Sequence, residues 1–68
     1  MKIYYKDKKA FEILIIILGY TQSSLSKKIG KSRPYMNKSL ERGIIGADAA
    51  RKISELFKEP YENLFEVR

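Results

Sequence analysis

The segment TQSSLSKKIGKSRPYMNKSLERG, Thr21 to Gly43, decides how this chain folds. Thr21 is suited to cap a helix that runs from Gln22 to about Ile29, with Leu25 and Ile29 facing inward one turn apart. Gly30 stops that helix, because a residue free to adopt positive φ is needed there. Ser32 is the expected cap of a further helix reaching about Glu41, with Pro34 in its first turn, where a missing N–H does no harm. Met36 and Leu40 form its inward pair. Two short helices joined so tightly cross at a steep angle. Ser26 supplies the small side chain that close packing at the crossing requires. The opposite face of the second helix is polar (Arg33, Tyr35, Asn37, Lys38) and suits a DNA major groove about 12 Å wide.

Working outward, Asp7 caps an expected helix to about Leu18, ended by Gly19. Its apolar residues form two stripes, Phe11-Leu14-Ile15-Leu18 and Ala10-Ile13-Ile17-Tyr20. One stripe faces the core. The other needs a cover, either the tails at Met1–Tyr5 and Leu64–Val67 or a second copy of the chain. Gly43 or Gly46 closes the third helix, and Gly46 or Asp48 opens a fourth with Ala49, Ile53, Leu56 and Phe57 inward. Pro60 opens a short fifth helix carrying Leu64 and Phe65. Five short helices around one core make an all-α fold, with pairing of short terminal strands left as an open addition.

Sixty-eight residues suffice for one domain, 1–68, with a small core. There is no Cys and no His, so neither a disulfide framework nor the usual metal ligands and general base are on offer. We expect no catalytic residues, no metal and no cofactor. Glu59 and Glu62, one turn apart, read as a solvated helix face rather than an acid–base pair. Gly43-Ile44-Ile45-Gly46 reads as a connector, since no Gly-Lys-Ser/Thr follows it.

Fourteen Lys and Arg against eight Asp and Glu give a net charge of +6. The excess is concentrated: residues 1–53 hold twelve bases and four acids, whereas residues 54–68 hold two bases and four acids. Lys27, Lys28, Lys31, Arg33, Lys38 and Arg42 form the densest basic stretch, with Glu41 as the one acid among them. Such a stretch points to a polyanionic partner. The apolar run Ile13–Leu18 follows two lysines but is far short of the roughly 20 residues needed to span a bilayer. The expected location is cytoplasmic, with no membrane contact.

The segment resembles the Cro/repressor-type (XRE-like) helix-turn-helix domains of phage and bacterial regulators. The landmarks are Gly19-Tyr20-Thr21-Gln22, Leu25-Ser26-Lys27-Lys28-Ile29-Gly30, Ser32-Arg33, Glu41-Arg42-Gly43, Ala50-Arg51-Lys52-Ile53 and Asn63-Leu64-Phe65. In this order they cover about Phe11 to Phe65. The resemblance implies a compact five-helix, lambda-repressor-like domain with its helix-turn-helix core at about 21–43.

It also implies roles. Thr21 and Gln22 would hold a backbone phosphate, and Lys28, Lys31 and Arg42 would contact others. Ser32, Arg33, Tyr35, Asn37 and Lys38 would face the bases, with Arg33 suited to guanine and Asn37 to adenine or a phosphate. Three positions depart from the family pattern. Ser39 stands where an aliphatic residue is usual, and Leu40 follows one place later. Pro34 stands where some relatives read a base, and Lys58 where Gly often caps a helix. The shift at Ser39 leaves the choice between Asn37 and Lys38 open.

The expected function is sequence-specific binding of double-stranded DNA by a small repressor without an effector domain, acting by occupying an operator as a homodimer. Ile13, Ile16 and Ile17, or Phe65 and Val67, are the expected dimer surface. Two other readings compete. One is a protein-interaction module (an antirepressor or adaptor) that uses the apolar stripe of the first helix. The other is a non-specific, nucleoid-type DNA binder.

Overall fold

A computed structural model describes residues 1–68. The elements run β1 (Ile3–Tyr5), α1 (Lys8–Ile17), α2 (Gln22–Lys28), α3 (Tyr35–Arg42), β2 (Ile44–Ile45), α4 (Ala47–Phe57), α5 (Tyr61–Leu64) and β3 (Phe65–Val67). Helices hold 59% of the chain.

The all-α expectation does not hold. The strands form an antiparallel sheet in the order β2-β1-β3, so the fold is mixed α/β, though rich in helix. Ile3, Tyr4 and Tyr5 lie opposite Val67, Glu66 and Phe65, and Ile3 and Tyr4 also lie opposite Ile45 and Ile44. None of these segments is long enough to stand alone; each becomes a strand because partners remote in the chain satisfy its backbone groups. Lys2 and Arg68 extend the ladder, exchanging N–H···O bonds of 2.8 and 2.9 Å. Ile44–Ile45, expected as a mere connector, is the second edge of this sheet, and Phe65 belongs to β3 rather than to the fifth helix.

Helix boundaries follow local chemistry. Asp7 Oδ1 accepts the Ala10 N–H at 3.1 Å and starts α1. α3 begins at Tyr35, later than expected, with Pro34 as its N-cap; Ser32 makes no side-chain cap. A proline disfavours helical backbone at the residue before it, so Arg33 cannot enter the helix. The Ser32 carbonyl instead accepts the Tyr35 N–H in a turn. Gly43 closes α3 with φ +77°, and its carbonyl accepts the Tyr5 N–H, which directs the chain straight into β2.

The core joins both layers. Phe65 lies 5.6 Å from Tyr5 and 5.9 Å from Phe11, ring centre to ring centre, and Phe11 lies 6.1 Å from Phe57. Such pairs contribute about 0.5–1.5 kcal/mol each beyond the area they bury. Leu25, Met36, Leu40 and Ile53 complete the interior beneath α2 and α3.

The terminal tails do not cover the second stripe of α1. They pair with each other, while Ile13, Ile16 and Ile17 remain 52%, 71% and 72% exposed. Tyr20 alone turns in, stacking on Phe57 with ring centres 5.9 Å apart. Phe65, expected as part of a dimer surface, is 1% exposed at the centre of the aromatic cluster and is excluded from that role. Val67, on the edge strand β3, is exposed. No helix is long and apolar enough to cross a membrane.

Candidate nucleic-acid interface

α2 and α3 meet at Ser26, whose hydroxyl is fully buried. It donates to the Gln22 carbonyl at 2.9 Å and accepts the Met36 N–H at 2.9 Å. The Met36 amide lies in the first turn of α3, where no intrahelical acceptor exists. Ser26 therefore serves as a cap supplied from another helix, and its small volume permits the close approach. Gly30 makes the turn with φ +78°. Lys52 Nζ, on α4, donates to the Ile29 carbonyl at 3.5 Å, which satisfies the C-terminal end of α2.

A second buried serine sets the roll of α3. Ser39 donates to the Ile44 carbonyl and accepts the Tyr5 phenol at 2.7 Å. Because the serine proton goes to Ile44, the tyrosine must be the donor in the other bond. Burial pushes the Tyr5 phenol up to about 12, against a smaller opposing effect of the Ser39 hydrogen bond. The buried Ser39 hydroxyl is thus satisfied by the sheet and the strand tyrosine. Ser39 and Leu40 are both buried, so Asn37 and Lys38 both face outward.

Ser32, Arg33, Asn37 and Lys38 are exposed on the turn and on α3. Asn37 Nδ2 donates to Gln22 Oε1 at 3.1 Å, which leaves Asn37 Oδ1 free as an acceptor and Gln22 Nε2 free as a donor. Thr21 and Ser24 form a reciprocal capping box at 2.9 and 3.0 Å. Lys28 and Arg42 are exposed and in no ion pair; Arg42, the last residue of α3, shares a groove with Lys2 beside β2.

Two expected contacts are engaged within the protein. The Tyr35 hydroxyl accepts the Gly46 N–H at 3.1 Å, which holds the half-buried ring against the start of α4 and away from the outward face. Lys31 Nζ is 2.9 Å from Asp48 Oδ2 and lies over the Tyr35 ring. Their hydrogen bond raises the pKa of Lys31 and lowers that of Asp48. No local pattern in the sequence marks Asp48, Lys52 and Tyr5 as supports of this surface, since each acts across a long separation in the chain. An acidic flank also emerges: Glu12 and Glu41 line one shallow groove with Lys8, Gln22 and Asn37.

Comparison of the chain with protein-family models, with curated proteins and with solved structures gives no match. The geometry of the interface offers exposed guanidinium groups at Arg33 and Arg42, two amide side chains, and unpaired ammonium groups at Lys27, Lys28 and Lys38, carried on α2, α3 and the turn between them.

Proposed function

We propose that this protein is a sequence-specific double-stranded DNA-binding transcriptional regulator of the phage or bacterial repressor type, which acts in the cytoplasm by occupying an operator. One observation carries the reading. Arg33, Asn37 and Lys38 are exposed beside the buried Met36 and Leu40, and neither Arg33 nor Lys38 has an acidic partner. In this reading α3 enters the major groove. Arg33 pairs with guanine, Asn37 or Lys38 reads a neighbouring base, and Ser32 lies at the groove edge. Thr21, Gln22 and Lys28 hold phosphates on one side and Arg42 on the other. Tyr35 supports α3 rather than reading bases. The mechanism calls for no cofactor.

A single domain makes few base contacts, each worth about 1–3 kcal/mol. Useful affinity then calls for two copies on half-sites about 34 Å apart. The exposed residues of α1 and Val67 are the surfaces open to such a homodimer.

The test is selection from random duplex DNA at two salt concentrations. A recovered consensus whose binding weakens steeply with salt supports the proposal. Tight binding without a consensus favours the nucleoid-type reading. The exposed isoleucines of α1 favour a second reading, a protein-interaction module. It prevails when Arg33→Ala and Lys28→Ala both leave DNA affinity unchanged.

A further inference from the structure

Lys31 belongs to the α2–α3 turn, directly before Ser32 and Arg33. Its Nζ lies 2.9 Å from Asp48 Oδ2 and 5.3 Å from the centre of the Tyr35 ring. Asp48 is in the first turn of α4, and Gly46, the cap of that helix, donates its N–H to Tyr35. These contacts close a circuit from the turn to α4 and back to α3. The circuit is tight: a Cβ on Gly46 would stand 3.1 Å from the Tyr35 hydroxyl and 3.3 Å from Asp48 Oδ1. Two ion pairs exist in the molecule, and this is the one within the base-rich residues 1–53. Lys27, Lys28, Arg33, Lys38 and Arg42 around it are all free of ion pairs.

We propose that Asp48 is a built-in competitor for the DNA backbone, holding the Lys31 ammonium so that a phosphate must displace a carboxylate to use it. The inference rests on the DNA-binding reading above and concerns the regulation of that same interface. Carboxylate and phosphate oxygens are equivalent acceptors for an ammonium group. The face of Tyr35 adds a second hold on the same cation. Asp48 is well exposed, so the restraint is weak enough to be exchanged. Binding to arbitrary DNA depends on phosphate contacts alone and loses the use of Lys31. The pair thus lowers affinity for any duplex whose backbone would engage Lys31.

The experiment measures binding of the parent, Asp48→Asn, Lys31→Ala and the double variant to a random-sequence duplex across a salt series. Lys28→Ala serves as the reference for phosphate contact. We expect Asp48→Asn to bind about two- to fivefold more tightly, with a salt slope steeper by about 0.9, and the gain to vanish in the Lys31→Ala background. The proposal is overturned when Lys28→Ala weakens binding but Asp48→Asn leaves it unchanged or weaker. It is equally overturned when the gain persists without Lys31, since overall charge then explains it. Unchanged affinity in Lys28→Ala and Arg33→Ala alike removes the DNA-binding reading itself, and this inference with it.

Discussion

The hydroxyl of Ser26 on α2 accepts the backbone N–H of Met36 on α3 at 2.9 Å, in a region closed to solvent. One atom thereby holds two helices at their crossing and satisfies an amide that α3 cannot satisfy itself. Replacing Ser26 with Ala leaves that amide unpaired and is expected to cost about 1–3 kcal/mol of stability. Replacing it with Leu overpacks the crossing and costs about 1–3 kcal/mol or more. Denaturant unfolding of the two variants measures both. A neutral Ser26→Ala would mean that the hydrogen bond contributes nothing net.

Tyr5 and Ser39 make a pH-dependent prediction. The Tyr5 phenol titrates at about 12 in the folded chain against 10.0 ordinarily, chiefly through burial. The folded state therefore holds this proton more tightly than the unfolded state. The associated stability is fully present below pH 10 and is lost as pH rises towards 12. Tyr5→Phe abolishes that portion of the alkaline loss, on the order of 1–3 kcal/mol. The difference between parent and variant unfolding curves across this range isolates it from lysine titration.

Arg33 and Lys28 should separate readout from attraction. Arg33→Ala is expected to cost about 1–3 kcal/mol on the preferred duplex and to flatten preference at one base position. Lys28→Ala is expected to weaken all duplexes alike and to reduce the salt slope by about 0.9. Fluorescence titration against matched and mismatched duplexes checks both outcomes.

The α1 surface predicts a change in assembly without a change in fold. Ile13 and Ile17 are exposed, so Ile13→Glu with Ile17→Glu should alter stability by no more than about 0.5 kcal/mol each. Sedimentation should show a dimeric parent and a monomeric variant. A profile identical to the parent's removes this face as the dimer surface.

Phe65 takes its backbone conformation from a remote partner rather than from its neighbours in sequence. Its position after Tyr61–Leu64 reads as the last turn of a helix, yet its backbone is extended opposite Tyr5. Ser32 shows a smaller shortfall. Its side chain is chemically suited to capping, but Pro34 delays the helix to Tyr35. Lys31 and Tyr35 were legible as members of the turn and of α3, whereas their engagement with Asp48 and Gly46 was not.

Asp7, Thr21, Gly30, Gly43 and the pairs Leu25–Ile29 and Met36–Leu40 act over three or four residues. Their caps, stops and inward faces were consequently readable from the order of residues alone. Pairing of the terminal strands was open in the sequence, but the addition of Ile44–Ile45 to them, the buried Tyr5–Ser39 pair and the Lys31–Asp48 pair were decided only in three dimensions. They join residues 34 and 17 positions apart, or Ile44–Ile45 to β1, and no local pattern encodes such a meeting. Short polar and apolar segments take their final conformation from whichever partner satisfies their backbone and hydroxyl groups, and packing of the whole chain chooses that partner.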